Sequence, residues 1–412
     1  MHITNVDAVV LDKVMHHAIL VRVETNRGIL GYGEVMGGPL HRARWLKQRI
    51  VALTSVIQGQ DPTDVERNMV RLRHHGGYKP LGRIVSGIEN ALWDIAGKVA
   101  EQPVYKLLGG KVRDRIPIYC DTGNGIPTRP GESEYAPEAY AKRARQMLKR
   151  PEQFTMFKVD IGFHGHHLHE VPGGVRPQYG PFPEQYNEPG FVTEKGLHAE
   201  IDVVRAVKEV FGDTYAFGLD CGPGQDLSAA IRLAQALEPF HIMWAEDLLQ
   251  GTSTPGIGEY TDAEDYRILT DQTSTPTLTG EHVYLRYGFL NLITKRAIRV
   301  IAPDIMDVGG LAETKWIAEY ADLYGILIAP HCNGMGISFM CNVHAAAAMP
   351  KNLVAFEWHR ADDPLWADYI RVDTPLIQEG EAIPPETPGL SFAVNETFIR
   401  QHLAPDERYF QE

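Results

Sequence analysis

Apolar runs recur along the second half of the chain, and most close on an acidic residue. Asp220 ends YAFGLD, Glu246 ends HIMWAE, Glu281 ends TPTLTGE and Asp304 ends RVIAPD, while His331 ends ILIAPH and Glu357 ends LVAFE. With IPIYCD and TMFKVD they make eight candidate strands, separated by helical stretches. That alternation signals parallel βα units. Earlier in the chain the order is different, strands first and then helices. HAILVRVETNRGILGYGEV reads as a hairpin turning at Asn26-Arg27-Gly28, and Ile84 to Val99 carries apolar residues at helical spacing. The pattern therefore predicts a first unit over 1–114, a barrel over 115–375, and a C-terminal segment, 376–412, packing back on the first unit. Two long stretches interrupt the barrel, Phe163 to Gly190 and Gln250 to Gln272. Loops of that length are uncommon unless functional or disordered.

Carboxylates are costly in apolar company unless something compensates them. A parallel barrel offers the compensation, because the C-terminal ends of its strands open on one face where catalytic groups collect. Asp220 and Glu246 lie 26 residues apart, about one βα unit, and Glu281 follows 35 residues later, beyond the second long loop. Three oxygen ligands from successive strand ends suit a hard divalent cation such as Mg²⁺. Asp247 and Asp271 are rival acids, but the first faces the other side of its strand and the second precedes one.

The 412 residues suit a barrel of about 250 residues plus another domain. A net charge of −13 argues against nucleic acid or an anionic membrane as partner. It leaves an anionic small molecule open, since a bound cation reverses the local field. No apolar stretch reaches membrane-spanning length, and MHITNVDAVVLD lacks a signal peptide's basic and apolar regions, so a cytoplasmic protein is expected. Cys120, Cys221, Cys332 and Cys341 show no CxxC spacing, which argues against a zinc site or disulfide frame.

ALWDIAGK (Ala91 to Lys98) and PVYKLLGG (Pro103 to Gly110) precede FKVDIG, GLDCG, WAEDL, LTGE, APDIMDVGG and PETPGL in one order. In these motifs, over nearly its whole length, the chain resembles the mandelate racemase and muconate lactonising branch of the enolase superfamily. The resemblance implies a (β/α)₇β modified TIM barrel under an N-terminal α+β capping domain, with one Mg²⁺ binding a substrate carboxylate. It also implies an Asp/His dyad, and Asp304 and His331, 27 residues apart, match it. His331 would be the base, its tautomer fixed by Asp304. Lys158 would stabilise the enediolate formed when the proton α to the carboxylate leaves. Glu357 would donate to the substrate carboxylate and would have to be protonated, with Trp358 beside it as a substrate contact.

One departure bears on the reaction. Racemases of the branch carry Lys-x-Lys on the second strand, and here the motif is Lys158-Val159-Asp160. Losing the second ammonium favours elimination, and Asp160 is left as a further base or a contact for sugar hydroxyls. The expectation is a Mg²⁺-dependent dehydratase of a sugar acid, an aldonate or aldarate, giving a 2-keto-3-deoxy acid. An epimerase or cycloisomerase working through the same enediolate is the alternative, and a metal-binding or regulatory protein with little turnover is another. The run HGHHLHE offers His164 and His166 as substrate contacts, as does His16 in the expected capping loop. The partner is a small-molecule carboxylate, and a homo-oligomer is expected.

Overall fold

The computed structural model describes residues 1–14, 17–75, 82–161, 191–222, 224–249, 262–373 and 375–410, together with the backbone of 175–176. Three antiparallel strands, β1 (Ile3–Val10), β2 (Ile19–Thr25) and β3 (Leu30–Val35), open the chain, with the predicted turn at Asn26 to Gly28. Helices α1 (Leu40–Ala52) and α3 (Arg83–Val99) cover this sheet, and α2 (Val65–His75) packs against α3. Glycine sets how closely α3 lies on β3: a Cβ at Gly33 would meet the Gly87 carbonyl at 1.9 Å. The apolar faces of sheet and helices form a core of their own, with Val21, Ile50, Ile88 and Leu92 fully buried.

Eight parallel strands then follow: β4 (Ile116–Asp121), β5 (Met156–Asp160), β6 (Ala216–Asp220), β7 (Ala245–Glu246), β8 (Thr277–Thr279), β9 (Val300–Ile301), β10 (Leu327–Ile328) and β11 (Phe356–Trp358). They neighbour one another in sequence order from β4 to β10, and β11 pairs with β4. Backbone bonds from Val354 to the Ile328 carbonyl (2.9 Å) and from Glu357 to that of Pro330 (3.0 Å) join β11 to β10 and close the ring. Among the described residues, seven helices connect the strands: α4 (Pro137–Met147), α5 (Glu194–Phe211), α6 (Leu227–Leu237), α7 (Ala263–Asp271), α8 (Leu285–Thr294), α9 (Leu311–Leu323) and α10 (Gly336–Ala348). Thr193, Asp226 and Asp262 start α5, α6 and α7 by accepting from backbone N–H groups of the first turn. This is the (β/α)₇β barrel with its capping domain. Several strands are shorter than their apolar runs, β7 taking only the end of HIMWAE, yet Met243 and Asp247 still bond to neighbouring strands on either side.

Tyr119, Trp244, Leu278, Val300, Ala302, Ala329 and Ala355 fill the barrel's interior, all buried. Tyr119 meets Trp244 edge-on, centroids 5.1 Å apart. No helix among the described residues is long and apolar enough to cross a membrane. The C-terminal segment touches both units: Glu381–Ala382 pair with β4, Leu403 bridges to Leu11, and Ala404 enters the capping core.

Two buried carboxylates clasp the capping domain to barrel helices. Glu34 of β3 accepts from the backbone of Met335 (2.7 Å) and Ser338 (3.1 Å), where α10 begins, and from the Tyr369 hydroxyl. Glu89 of α3 accepts from Leu311 (2.8 Å) and Ala312 (3.0 Å), where α9 begins. Each satisfies N–H groups that a helix cannot bond internally.

His344 of α10 is fully buried, stacks on Tyr105, and accepts the Tyr105 backbone N–H at Nδ1 (3.3 Å). Burial lowers its pKa to about 4 from an ordinary 6.5, so it folds neutral. Between those values the unfolded chain holds more protons than the folded one. Stability is therefore full above pH 6.5 and falls as pH drops towards 4, by roughly 3 kcal/mol from this group. Denaturant unfolding of wild type and His344→Phe across pH 4 to 7.5 should show that part of the slope vanish in the variant.

Candidate active site

Alternation along each barrel strand decides what reaches the mouth. Tyr119, Lys158, Gly218, Trp244, Ala302, Ala329 and Ala355 face inward, so Asp121, Asp160, Asp220, Glu246, Asp304, His331 and Glu357, each two residues on, face inward one layer higher. Register brings them side by side: Asp121 pairs with Lys158, Asp160 with Asp220, Asp220 with Glu246, and Asp304 bridges to His331. Glu281 does not follow this rule. Counting from Leu278 it should face outward, but Gly280 has φ +136°, which reverses the chain and turns Glu281 to the mouth. A Cβ at Gly280 would also meet the Phe289 ring at 2.8 Å.

Lys158, 1% exposed, stands at the centre. Its Nζ lies 2.8 Å from Glu357, 3.3 Å from both Asp220 and Glu246, and 3.5 Å from Asp121. Burial alone would lower the pKa of this ammonium, and Glu246, Glu357, Asp220 and Asp121 together raise it well above the ordinary value. Burial and mutual repulsion push the carboxyls of Glu246 and Asp220 upward, against the pull of Lys158. One cation is too little for the acids around it.

The dyad is formed. His331 Nδ1 lies 2.5 Å from Asp304 Oδ2, and Asp304 Oδ1 accepts the Met306 N–H at 2.6 Å. His331 Nε2 points to Glu281 (3.1 Å) and Glu357 (3.4 Å). Burial disfavours its charge, but Glu281, Glu357 and Asp304 raise its pKa well above 6.5. Glu281 also reaches His282 at 2.7 Å.

Several expectations change. Although burial opposes its ionisation, Lys158 at 2.8 Å and His331 draw the Glu357 carboxyl below the usual range, against the protonation expected of it, and it accepts the Cys332 N–H. Trp358 does not line the mouth. It faces outward between Glu357 and His359, stacked on Phe154 (5.2 Å) and edge-on to Trp366 (5.7 Å). Asp307, in the turn that follows Asp304, pairs with Arg83 of the capping domain at 2.9 Å. His16, His164 and His166 lie outside the described residues. Asp121 and His359 were missed, although both are legible: one closes IPIYCD as the other acids close their strands, and the other lies two residues past Glu357.

A divalent cation is the group the family resemblance implies here, and the donors fit one. Both carboxylate oxygens of Glu246 are buried without a hydrogen bond among the described residues, and Lys158 alone offsets them. Asp220, Glu246 and Glu281 offer only oxygens from neighbouring strand ends, though their donor atoms do not all lie within 4.8 Å of one another. A second set, Asp121, Glu357 and His359, has donor atoms within 4.8 Å of one another, but Glu357 there is committed to Lys158 and the Cys332 N–H.

Residues 139–398 match the family described as Enolase C-terminal domain-like, and residues 10–109 match the mandelate racemase/muconate lactonizing enzyme N-terminal domain. The chain belongs to the enolase superfamily, in its mandelate racemase/muconate lactonizing branch. Among its superfamily relatives, a protein named D-xylonate dehydratase from Haloferax volcanii is 32% identical over 399 residues, 96% of this chain and 87% of that one. One named D-galactonate dehydratase from Ralstonia pickettii is 28% identical, covering 95% and 92%. A crystal structure of a mandelate racemase/muconate lactonizing enzyme-like protein from Rubrobacter xylanophilus superposes with TM-score 0.84 at 29% identity, covering 99% of each chain.

Gly280→Ala should cost about 1–3 kcal/mol, from positive φ and the contact with Phe289. The drop in thermal midpoint measures it, and an unchanged midpoint would mean that the turn delivering Glu281 is not strained.

Proposed function

We propose that the protein dehydrates a sugar acid, removing the proton α to the carboxylate and expelling the β-hydroxyl to give a 2-keto-3-deoxy acid. The observation that carries this reading is the ring of four carboxylates about Lys158, flanked by the His331–Asp304 pair. An α-proton of a carboxylate is very weakly acidic, so positive charge must already be in place where the enediolate forms. Lys158 is the chain's fixed contribution to that charge. Asp220, Glu246 and Glu281 would hold Mg²⁺, which when bound would supply further positive charge to the substrate's carboxylate.

With Glu281 drawn to Mg²⁺, the largest of the charges that hold the His331 imidazole protonated is offset, and His331 would take the α-proton at Nε2, because Nδ1 is held by Asp304. Glu281 and Glu357, facing Nε2, stabilise the imidazolium. The same proton is then placed to leave with the β-hydroxyl as water, so abstraction and protonation of the leaving group use one side chain on one face. Asp160, in register with Asp220, stands where racemases of the branch carry a second Lys, and a carboxylate there favours elimination over racemisation. The names of the Haloferax and Ralstonia relatives support the same reaction class.

Glu246→Gln should weaken Mg²⁺ binding at least tenfold, read by calorimetric titration, because it removes a charge from an acid whose two buried oxygens accept no hydrogen bond among the described residues. Unchanged affinity would move the ion to Asp121, Glu357 and His359.

His331→Asn should slow α-proton exchange in D₂O by about 10²–10⁴-fold, with Mg²⁺ still bound. Wild type with its true substrate should give a keto acid that reacts with semicarbazide. An NMR spectrum showing an epimer with every hydroxyl retained would decide for the isomerase.

A further inference from the structure

Beside the charged ring, between the ends of β4 and β11 and the capping-domain residue Lys13, lies a cavity of ≈ 380 Å³. We propose that it is the subsite for the far end of the substrate and that it takes the uncharged, hydroxyl-bearing end of an aldonate, read by His359 with Asp121 and Lys13. The inference rests on the sugar-acid reading above and adds where the chain of the acid goes and which ending it has.

The cavity adjoins the reacting centre through Asp121. One carboxylate oxygen of Asp121 lies 3.5 Å from the Lys158 ammonium, and the other accepts the Gly123 N–H at 2.6 Å. A substrate whose α-carbon sits by Lys158 and His331 can therefore lay the rest of its chain past Asp121. The volume is of the size that holds small ligands.

The lining groups differ in what they have to spare. Arg143 is committed, forked onto Asp362 (2.9 and 2.6 Å) and bonded to the Thr122 carbonyl. Arg360 is committed to the carbonyls of Asn333 and Gly334. His359 is not. Its Nε2 is 3.9 Å from Asp121, too far for a hydrogen bond, and its Nδ1 is buried with no hydrogen bond among the described residues. About a third of the side chain, 36%, is open to the cavity side of the fold. Burial of the ring lowers its pKa, so the imidazole is neutral near pH 7, with one N–H to give and one nitrogen to accept. Lys13, exposed and without an ion pair among the described residues, adds donors from the capping side.

A neutral imidazole that both donates and accepts, beside a carboxylate acceptor and an ammonium donor, matches hydroxyls on adjacent carbons. It does not match a second carboxylate. Lys13, Arg143 and Arg360 are balanced by Asp121, Asp362 and Asp363, so the cavity has no net charge to attract one.

The test compares KM and kcat for six- and five-carbon aldonates, the matching aldarates, and glycerate, whose chain ends at the β-carbon. His359→Ala should raise KM for the long aldonates about tenfold, leave kcat within twofold, and leave glycerate unaffected. His359→Gln, which restores a donor and an acceptor, should recover most of the loss, and Lys13→Ala should raise KM for the same acids. Mg²⁺ affinity should be unchanged in both His359 variants. A loss of Mg²⁺ affinity would make His359 a metal ligand and overturn the proposal, as would a fall in kcat at unchanged KM or faster turnover of aldarates. Calorimetric binding of the same acids keeps the two readings apart. Aldonates that bind through His359 yet lose no water would sink the dehydratase reading and leave the subsite standing. If no long aldonate binds more tightly than glycerate, the subsite is wrong.

Discussion

The mouth of this barrel depends on one ion-pairing problem: acids delivered by separate strands converge on a single buried ammonium. Seen from Lys158, burial without acids would strip its proton. Seen from the acids, burial without Lys158 would leave charges repelling one another in a medium that screens poorly. Each therefore requires the other, and the surplus of negative charge is what makes the site a cation receptor. Glu246 expresses that surplus most directly, with two buried oxygens and no hydrogen bond among the described residues.

The same constraint reaches outward. His331 keeps its orientation through Asp304, and the chain just after it is held from two sides, by Arg360 on Asn333 and Gly334 and by Glu34 at Met335. Glu34 belongs to the capping domain. The loop that follows the proposed base is thus tied to residues about 300 positions earlier in the chain. The capping domain is part of the framework of the site as well as its cover.

Much of this was legible in the sequence, for a definite reason. A strand buried on both faces reads as an apolar run, and an acid at its end is conspicuous because burial would otherwise forbid it. That logic located Asp220, Glu246, Asp304, His331 and Glu357, and the same logic applied to IPIYCD and to the residue after Trp358 would have located Asp121 and His359. Glu281 reaches the mouth although its orientation does not follow from alternation; it depends on the turn at Gly280. The protonation of Glu357 was not legible because it depends on how near Lys158 comes, a distance no spacing along the chain encodes. The clasps of Glu34 and Glu89 were invisible for a related reason: their partners are backbone N–H groups, which carry no side-chain signature.

The packed interior of the barrel has one more consequence. Tyr119, Trp244, Leu278 and Val300 seal the floor directly beneath the charged ring. Among the described residues the barrel's axis is packed shut below the ring, so whatever enters from the mouth leaves on the mouth side. A reaction that splits water from its substrate would have two products queuing at that opening, the smaller one already next to the strongest charges in the protein. Departure, and not only chemistry, is then a step on which turnover can wait.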